Sequence, residues 1–450
     1  MKTFRLLIVA LLVASSAAAQ NNTGKGTNDE YSPTVYLISV NETETVEDCG
    51  CPALAAAELN RLAAAGAIQD YRDTHRAGFQ QAEKPQFIFT TKNNKFSFAV
   101  GGYINMRVGY DFEGIVDNID FIPADIPMTR NYATDQKLMM DATTSRLYLK
   151  AIANTRALGR VVVYVDGDFR GGARNSYTPR LRSAYVSFLG FTLGRDISTF
   201  TDLLAAPNTI DFQGPNAYNL HFATMVRWEK SFWNDCMKFG VAAEMPKVSG
   251  TYGEYAAPVP QRMPDFPVYL QVMWGPDRQS HIRASAVFRN MYERNLDKNY
   301  TTSQFGWGVQ ASGHIRVARV LDLFFNGVYG EGITPYIQDL AGAGLDFTPV
   351  PGWPTHLQTM PMYGWQAAAQ INLSRRVSFS GGYSTVEVCK KNGFYSNDEY
   401  RTGEYIFGNM FVKITPRCKF GVEYLYGTRE NMDGLKNHAN RANMMVQYNF

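Results

Sequence analysis

Long apolar runs are missing from this chain of 450 residues. Past residue 19 no stretch approaches the roughly eighteen apolar residues that a membrane-crossing helix needs, so a helical span is excluded. Surplus charge is missing as well. Against 44 Lys and Arg stand 41 Asp and Glu, a formal balance of +3, which lacks the basic footprint of a nucleic-acid binder; no nucleic-acid partner is expected. Cysteine is scarce, and the count of five is odd for a fully bridged framework. Cys49 and Cys51 stand too close for an easy bridge within one chain, although pairing between subunits stays open, and no second Cys or His pair follows at zinc spacing. Histidine is scarce too. None of His75, His221, His281, His314, His356 and His438 sits in a nucleophile motif, so no catalytic residue, metal or cofactor is expected.

What the chain has is aromatic residues and glycine, with 26 Tyr, 28 Phe and 38 Gly at a mean hydropathy of -0.25. Many aromatics without long apolar runs suit a secreted β-protein or a closed barrel, since only helices and closed barrels satisfy every backbone group in lipid. The beginning of the chain favours export. A basic start (Lys2, Arg5), the apolar stretch Leu6 to Ala14 and the small residues Ala17 to Ala19 read as a signal peptide over 1–19. Residues 20–90 then read as a periplasmic leader. It is polar over Asn21 to Asp48, with apolar residues at helical spacing (Leu54, Leu59, Leu62, Ala63) in a short amphipathic helix within 52–82. That helix could plug a barrel mouth, pack on a neighbouring subunit or hang free.

From Lys95 onward the hydrophobic period becomes two. Phe96, Phe98, Ile104, Met106 and Val108 share one face, and Ser97, Tyr103, Asn105 and Arg107 the other. Sixteen such segments follow one another, the last ending at Phe450. Brief connections, such as Gly190, Ala318-Arg319 and Ser374-Arg375, alternate with long ones at 112–141, 170–178, 196–220, 246–265, 291–302, 331–361, 388–401 and 428–437. That rhythm, closed by a terminal aromatic that resembles the assembly signal of outer-membrane barrels, predicts an all-β fold: a 16-stranded antiparallel transmembrane β-barrel over 91–450. Outer-membrane lipid would then be a partner, and the outer membrane of a Gram-negative bacterium the location.

The more apolar parity should face lipid and the other the lumen. The inward parity collects Arg107, Arg146, Lys150, Arg160, Arg180, Arg182, Arg227, Lys238, Arg283, Arg289, Arg316 and Arg441, with fewer acids, chiefly Asp166, Asp168, Glu229, Glu244 and Glu423. The connection 196–220 carries Asp196, Asp202 and Asp211 and no Lys or Arg. Folded inward, it would narrow the lumen and oppose an acidic loop to a basic wall, a field that favours anions.

The run Arg180-Leu181-Arg182-Ser183-Ala184-Tyr185, then Gly194-Arg195, Phe200, Asp202, Pro207-Asn208-Thr209 and Asp211-Phe212-Gln213-Gly214-Pro215, resembles the DcaP-type trimeric porins. That resemblance implies a homotrimer with a helical N-terminal extension that takes up small anionic solutes such as dicarboxylates. It also implies that Arg180, Arg182, Arg195, Asp202 and Asp211 shape the constriction. The chain departs in its N-terminal helix, which shows no sustained heptads. The expectation is a passive porin for small hydrophilic, carboxylate-type solutes. The alternatives are a barrel that binds or adheres through its external loops and, further off, a barrel hydrolase.

Overall fold

A computed structural model describes residues 36–39, 64–91, 94–113, 119–129, 132, 135–173, 176–393 and 398–450. The expected signal peptide at 1–19, Cys49, Cys51 and the first part of the expected helix, 52–63, lie outside the described residues.

Sixteen strands form the wall: β1 Phe96–Glu113, β2 Arg146–Thr155, β3 Gly159–Asp168, β4 Arg180–Phe188, β5 Phe191–Ile197, β6 Phe222–Phe232, β7 Met237–Glu244, β8 Phe266–Trp274, β9 Ser280–Asn295, β10 Tyr300–Ala318, β11 Leu321–Glu331, β12 Pro361–Asn372, β13 Val377–Val388, β14 Tyr400–Lys413, β15 Cys418–Asn431 and β16 Lys436–Asn449. Each is antiparallel to the next. β16 returns to β1 in a ladder that includes Met444 opposite Val108 and Tyr448 opposite Ile104. At the end of that seam Phe450 and Gly102 exchange two backbone hydrogen bonds, at 3.0 and 3.1 Å. Closure leaves no wall strand without a neighbour on each side, as a strand in lipid requires.

Alternation holds around the ring. Ile104 and Met106 of β1, Leu147 and Leu149 of β2, Val163 and Val165 of β3, and Leu270 and Val272 of β8 are exposed on the outer face, while Asn105, Arg107, Arg146, Lys150, Asp166 and Tyr269 are buried within. Trp274, Phe379 and Tyr448 are exposed near the short-turn end, where an interfacial girdle belongs. Short turns at 189–190, 319–320 and 373–376 mark that end as periplasmic, and the long connections mark the other as external.

Two expectations need correction. The long connection predicted at 291–302 is the four-residue turn 296–299, because β9 and β10 stay paired up to Asn295 opposite Tyr300. Likewise the connection predicted at 428–437 shrinks to 432–435. Above the bilayer a ladder no longer needs an apolar outer face, so the pairing continues after the period-two signal has ended.

An apolar outer face at mid-membrane predicts a specific cost. Val309, in the middle of β10 and 45 % exposed on the outer face, should tolerate Leu, whereas Val309→Arg should destabilise the folded barrel by about 2–4 kcal/mol. Urea titration of the barrel refolded in lipid vesicles would measure it, and an unchanged midpoint would refute the outward assignment.

Candidate functional site in the lumen

The described part of the leader is not a free-standing unit: Phe87–Thr90 pairs antiparallel with β1 and Tyr36–Ser39 pairs parallel with Phe87–Thr90, while residues 64–85 lie against inward-facing side chains of the wall. A helix spans 64–73, shorter than the expected 52–82 over its described part. Ala67 and Tyr71, one helical turn apart, bury against Ala99, Ile152 and Val162 of β1–β3. The Tyr71 hydroxyl donates to the Lys150 carbonyl at 2.9 Å, and Asp70 receives Arg160 at 2.7 Å and Asn154 at 2.8 Å. At the C-terminus of the helix the Lys150 ammonium donates to the Thr74 carbonyl at 2.7 Å, a cation where the helix dipole is negative.

Past the helix, residues 76–83 cross the wall of β2–β5. Arg76 pairs with Asp196 at 2.7 Å, the Gln80 carbonyl accepts from Arg146 at 2.6 Å, and the Glu83 carbonyl accepts from Tyr148 at 3.0 Å. Gly78 has φ +123°, and a Cβ there would meet the Leu203 carbonyl at 2.3 Å, so no other residue fits. Phe79 then packs on Ala205, Ala206 and Tyr218. The cavity left on this side holds about 30 Å³, between residues such as Tyr71, His75, Lys150 and Asp196, room for about one water.

The partner of that segment is the connection 198–221. With no ladder of its own, it takes hydrogen bonds from the inward face of every strand from β9 to β15. Asp202 lies 2.9 Å from His281 Nε2 and accepts from Ser312 at 2.7 Å. Asn326 donates to the Ala217 carbonyl at 3.2 Å, Gln366 to Ala205 at 3.0 Å and Asn409 to Asn208 at 3.2 Å, while Ser384 accepts from Ala217 N–H at 3.0 Å. Glu423 receives the N–H groups of Ile210 and Asp211 at 2.9 and 2.7 Å. Asp211 in turn accepts from Phe121 N–H at 3.0 Å and from Tyr405 at 2.9 Å.

The two loop aspartates titrate in opposite senses. Burial, aided by the charges of Asp120 and Glu423, pushes Asp211 up to about 7. Burial would raise Asp202 too, but His281 and Arg283 outweigh it and hold that carboxyl below the ordinary range.

Most of the basic residues singled out from the sequence are paired. Arg146 bonds Asp166, Arg107 reaches Asp141 at 2.8 Å, and Arg227 reaches Asp196 at 2.7 Å. Arg180 and Arg182 share Asp168, at 2.5 and 3.1 Å. Lys150 and Arg160 hold the helix, as described. Arg195 stands apart: its register partners Ala184 and Thr224 belong to the outward parity, and its guanidinium lies 5.9 Å from the Phe222 ring. Asp202 and Asp211 are anchors of the connection, each buried under several donors.

Phe212, part of the quoted motif, completes the arrangement with Arg170 and Asp120, which the sequence did not single out. Phe212 lies beneath the guanidinium groups of Arg170 and Arg182, at 4.9 and 5.2 Å, and Arg170 binds Asp120. Above Phe212 opens a cavity of about 890 Å³ toward the external end. Its lining includes six basic side chains (Arg170, Arg180, Arg182, Arg195, Lys247 and Arg429) against four acidic ones (Asp120, Asp125, Asp339 and Glu399). Among the described residues, neither Arg195 nor Lys247 has an ion-pair partner.

A closed antiparallel barrel with an apolar outer belt, a charged interior and a connection laid inside it defines a class: a porin-type channel protein of the Gram-negative outer membrane. Comparison with known proteins gives a likeness over part of the chain. The model of the DcaP outer membrane protein family matches residues 80–266, so the chain is DcaP-like over β1–β7 and the connection between β5 and β6. Among solved structures, the outer membrane channel DcaP of Acinetobacter baumannii is similar at 18 % identity, with TM-score 0.69 over 79 % of this chain and 98 % of that one. The anion-selective porin from Comamonas acidovorans is similar at 10 % identity and TM-score 0.52, over 79 % and 100 %. OmpT of Vibrio cholerae is similar at 11 % and 0.51, over 79 % and 98 %. At such identities the structures share the fold. A sequence search among curated proteins finds no match.

Two outcomes follow from this packing. Deleting residues 64–85 should raise single-channel conductance in a planar bilayer, and an unaltered conductance would place the segment outside the ion path. Because the folded Asp202 titrates below its ordinary value, its hold on the connection exists above about pH 4 and is lost as pH falls further. Current noise should therefore grow below that pH, and Asp202→Asn should bring comparable noise at pH 7.

Proposed function

We propose that this protein is a passive, trimeric porin for small hydrophilic anions of the carboxylate type. The solute enters the external cavity, passes Phe212, and leaves through a lumen narrowed by the connection 198–221 and by residues 64–85. The observation that carries the reading is the lining of the 890 Å³ cavity, where basic groups outnumber acidic ones and Arg195 and Lys247 have no ion-pair partner. A low-dielectric enclosure with such a surplus raises the local concentration of anions. Guanidinium forks also match carboxylates in shape. The anion-selective porin of similar fold is consistent with this reading, at a level of identity that speaks of fold alone.

The trimer contact belongs on β4–β6. Strands β4 and β5 are only nine and seven residues long. The cavity reaches over their top edge, since the outward-parity Leu181, Phe222 and Thr224 line it along with Arg195. Arg195 stands four residues above the start of β5, or about 10 Å for a tilted strand. An arginine on the lipid face at that depth would cost about 2–4 kcal/mol. A second copy covering this edge removes the cost and completes the wall of the cavity.

Reversal potential in a KCl gradient tests the selectivity. The native channel should prefer chloride, and the double substitution Arg195→Gln with Lys247→Gln should move the potential toward cations without changing the heat-resistant mobility of the folded barrel. A cation-preferring native channel would overturn the proposal.

A further inference from the structure

We infer that the outer face at the top of β9 and β10 is a docking surface for a phosphorylated lipid headgroup of the external leaflet. Height along the wall comes first. Ser280 lies opposite Trp274 at the periplasmic girdle, and Asn290 is ten residues further up β9. For a strand tilted by about 40° that is about 25 Å, the height of the apolar band. Tyr292 and Arg294, on the outward parity of Ile282 and Phe288, therefore stand at the level of the headgroups.

The chemistry at that level is unlike the rest of the rim. Arg262, in the connection before β8, lays its guanidinium 5.5 Å from the Tyr292 ring and donates through Nη2 to Thr301 Oγ1 at 3.3 Å. Thr301 is the register partner of Arg294 on the same outward parity, so the hydroxyl held by Arg262 stands beside the residue that carries the second guanidinium. Lys298 lies in the turn above, beside Asp297. Arg294 bonds the Asn299 side chain. None of these three cations forms an ion pair among the described residues.

On β11–β16, by contrast, outward lysine and arginine side chains of this end are neutralised: Lys391 by Glu331 at 2.7 Å, Arg401 by Glu430 at 3.0 Å and Lys436 by Glu404 at 3.4 Å. The pairing that runs around β11–β16 stops at β9–β10. Neighbouring like charges without acidic partners repel unless an anion lies between them, and a phosphate accepts the forks of two arginines at once. Directly below, Phe288 and Phe305 are exposed and offer apolar surface to acyl chains. A phosphorylated amphiphile matches both halves; a soluble anion would leave the aromatics unused. The surface lies away from β4–β6 and is independent of the proposed transport role.

Native mass spectrometry of the full chain in detergent with added diphosphoryl lipid A tests the inference. The native protein should retain the lipid, and the same lipid stripped of both phosphates should be retained on the order of tenfold less. Arg262→Gln with Arg294→Gln should show a similar loss for the diphosphoryl form, whereas Arg401→Gln with Lys436→Gln, which alters cations already paired, should not. Equal retention of the dephosphorylated lipid by the native protein would overturn the inference without recourse to any variant. So would undiminished retention by the Arg262/Arg294 pair, or equal loss in the two double variants.

Discussion

A wall of strands immersed in lipid has nowhere to send an unpaired backbone N–H or C=O, so the ladder must run until it meets itself. The seam between β16 and β1 is where this chain meets that constraint, down to the exchange of hydrogen bonds between Phe450 and Gly102. Everything else is arranged within the cylinder that results. The outer face is free to be uniformly apolar because no edge has to be protected, and the inner face is free to be polar because it never touches hydrocarbon.

A polar interior brings its own constraint. The connection 198–221 and residues 64–85 carry backbone groups with no ladder partners, and buried ones cannot be left unsatisfied. The wall answers with single side chains: Ser384, Asn326, Gln366, Asn409 and Glu423 each take one or two of the loop's groups. On the other side Arg146, Lys150 and Tyr148 do the same for the N-terminal segment. The segments also hold each other, through Phe79 against Tyr218 and Arg76 against Asp196. Position in the lumen is thus set by many neutral hydrogen bonds and a few buried ion pairs, whose value lies more in fixing geometry than in net stability.

Charge in such an interior cannot be read by counting. Arg146, Arg107, Arg180, Arg182 and Arg227 all face carboxylates, so their contribution to the field along the pore is largely cancelled. What remains for a passing solute is the surplus around the external cavity, where Arg195 and Lys247 stand unpaired among the described residues. The same reasoning separates β9–β10 from the remainder of the outer rim.

Strand number, closure, the parity of every strand compared and the inward position of Arg107, Arg146 and Lys150 were legible from residue order, because a side-chain period of two is a local property that needs no partner to be visible. The external ends of β9, β10 and β15 were not, since above the bilayer an outer face may be polar and the alternation disappears while pairing continues. Arg195 looked like a constriction residue from its motif, yet its register with Ala184 and Thr224 puts it on the outer parity. Phe212 was visible only as part of a motif, and Arg170 and Arg76 carried no signal of their own. Their roles come from contacts between residues as far apart as Arg76 and Asp196, and only the closing of the barrel brings such pairs within reach.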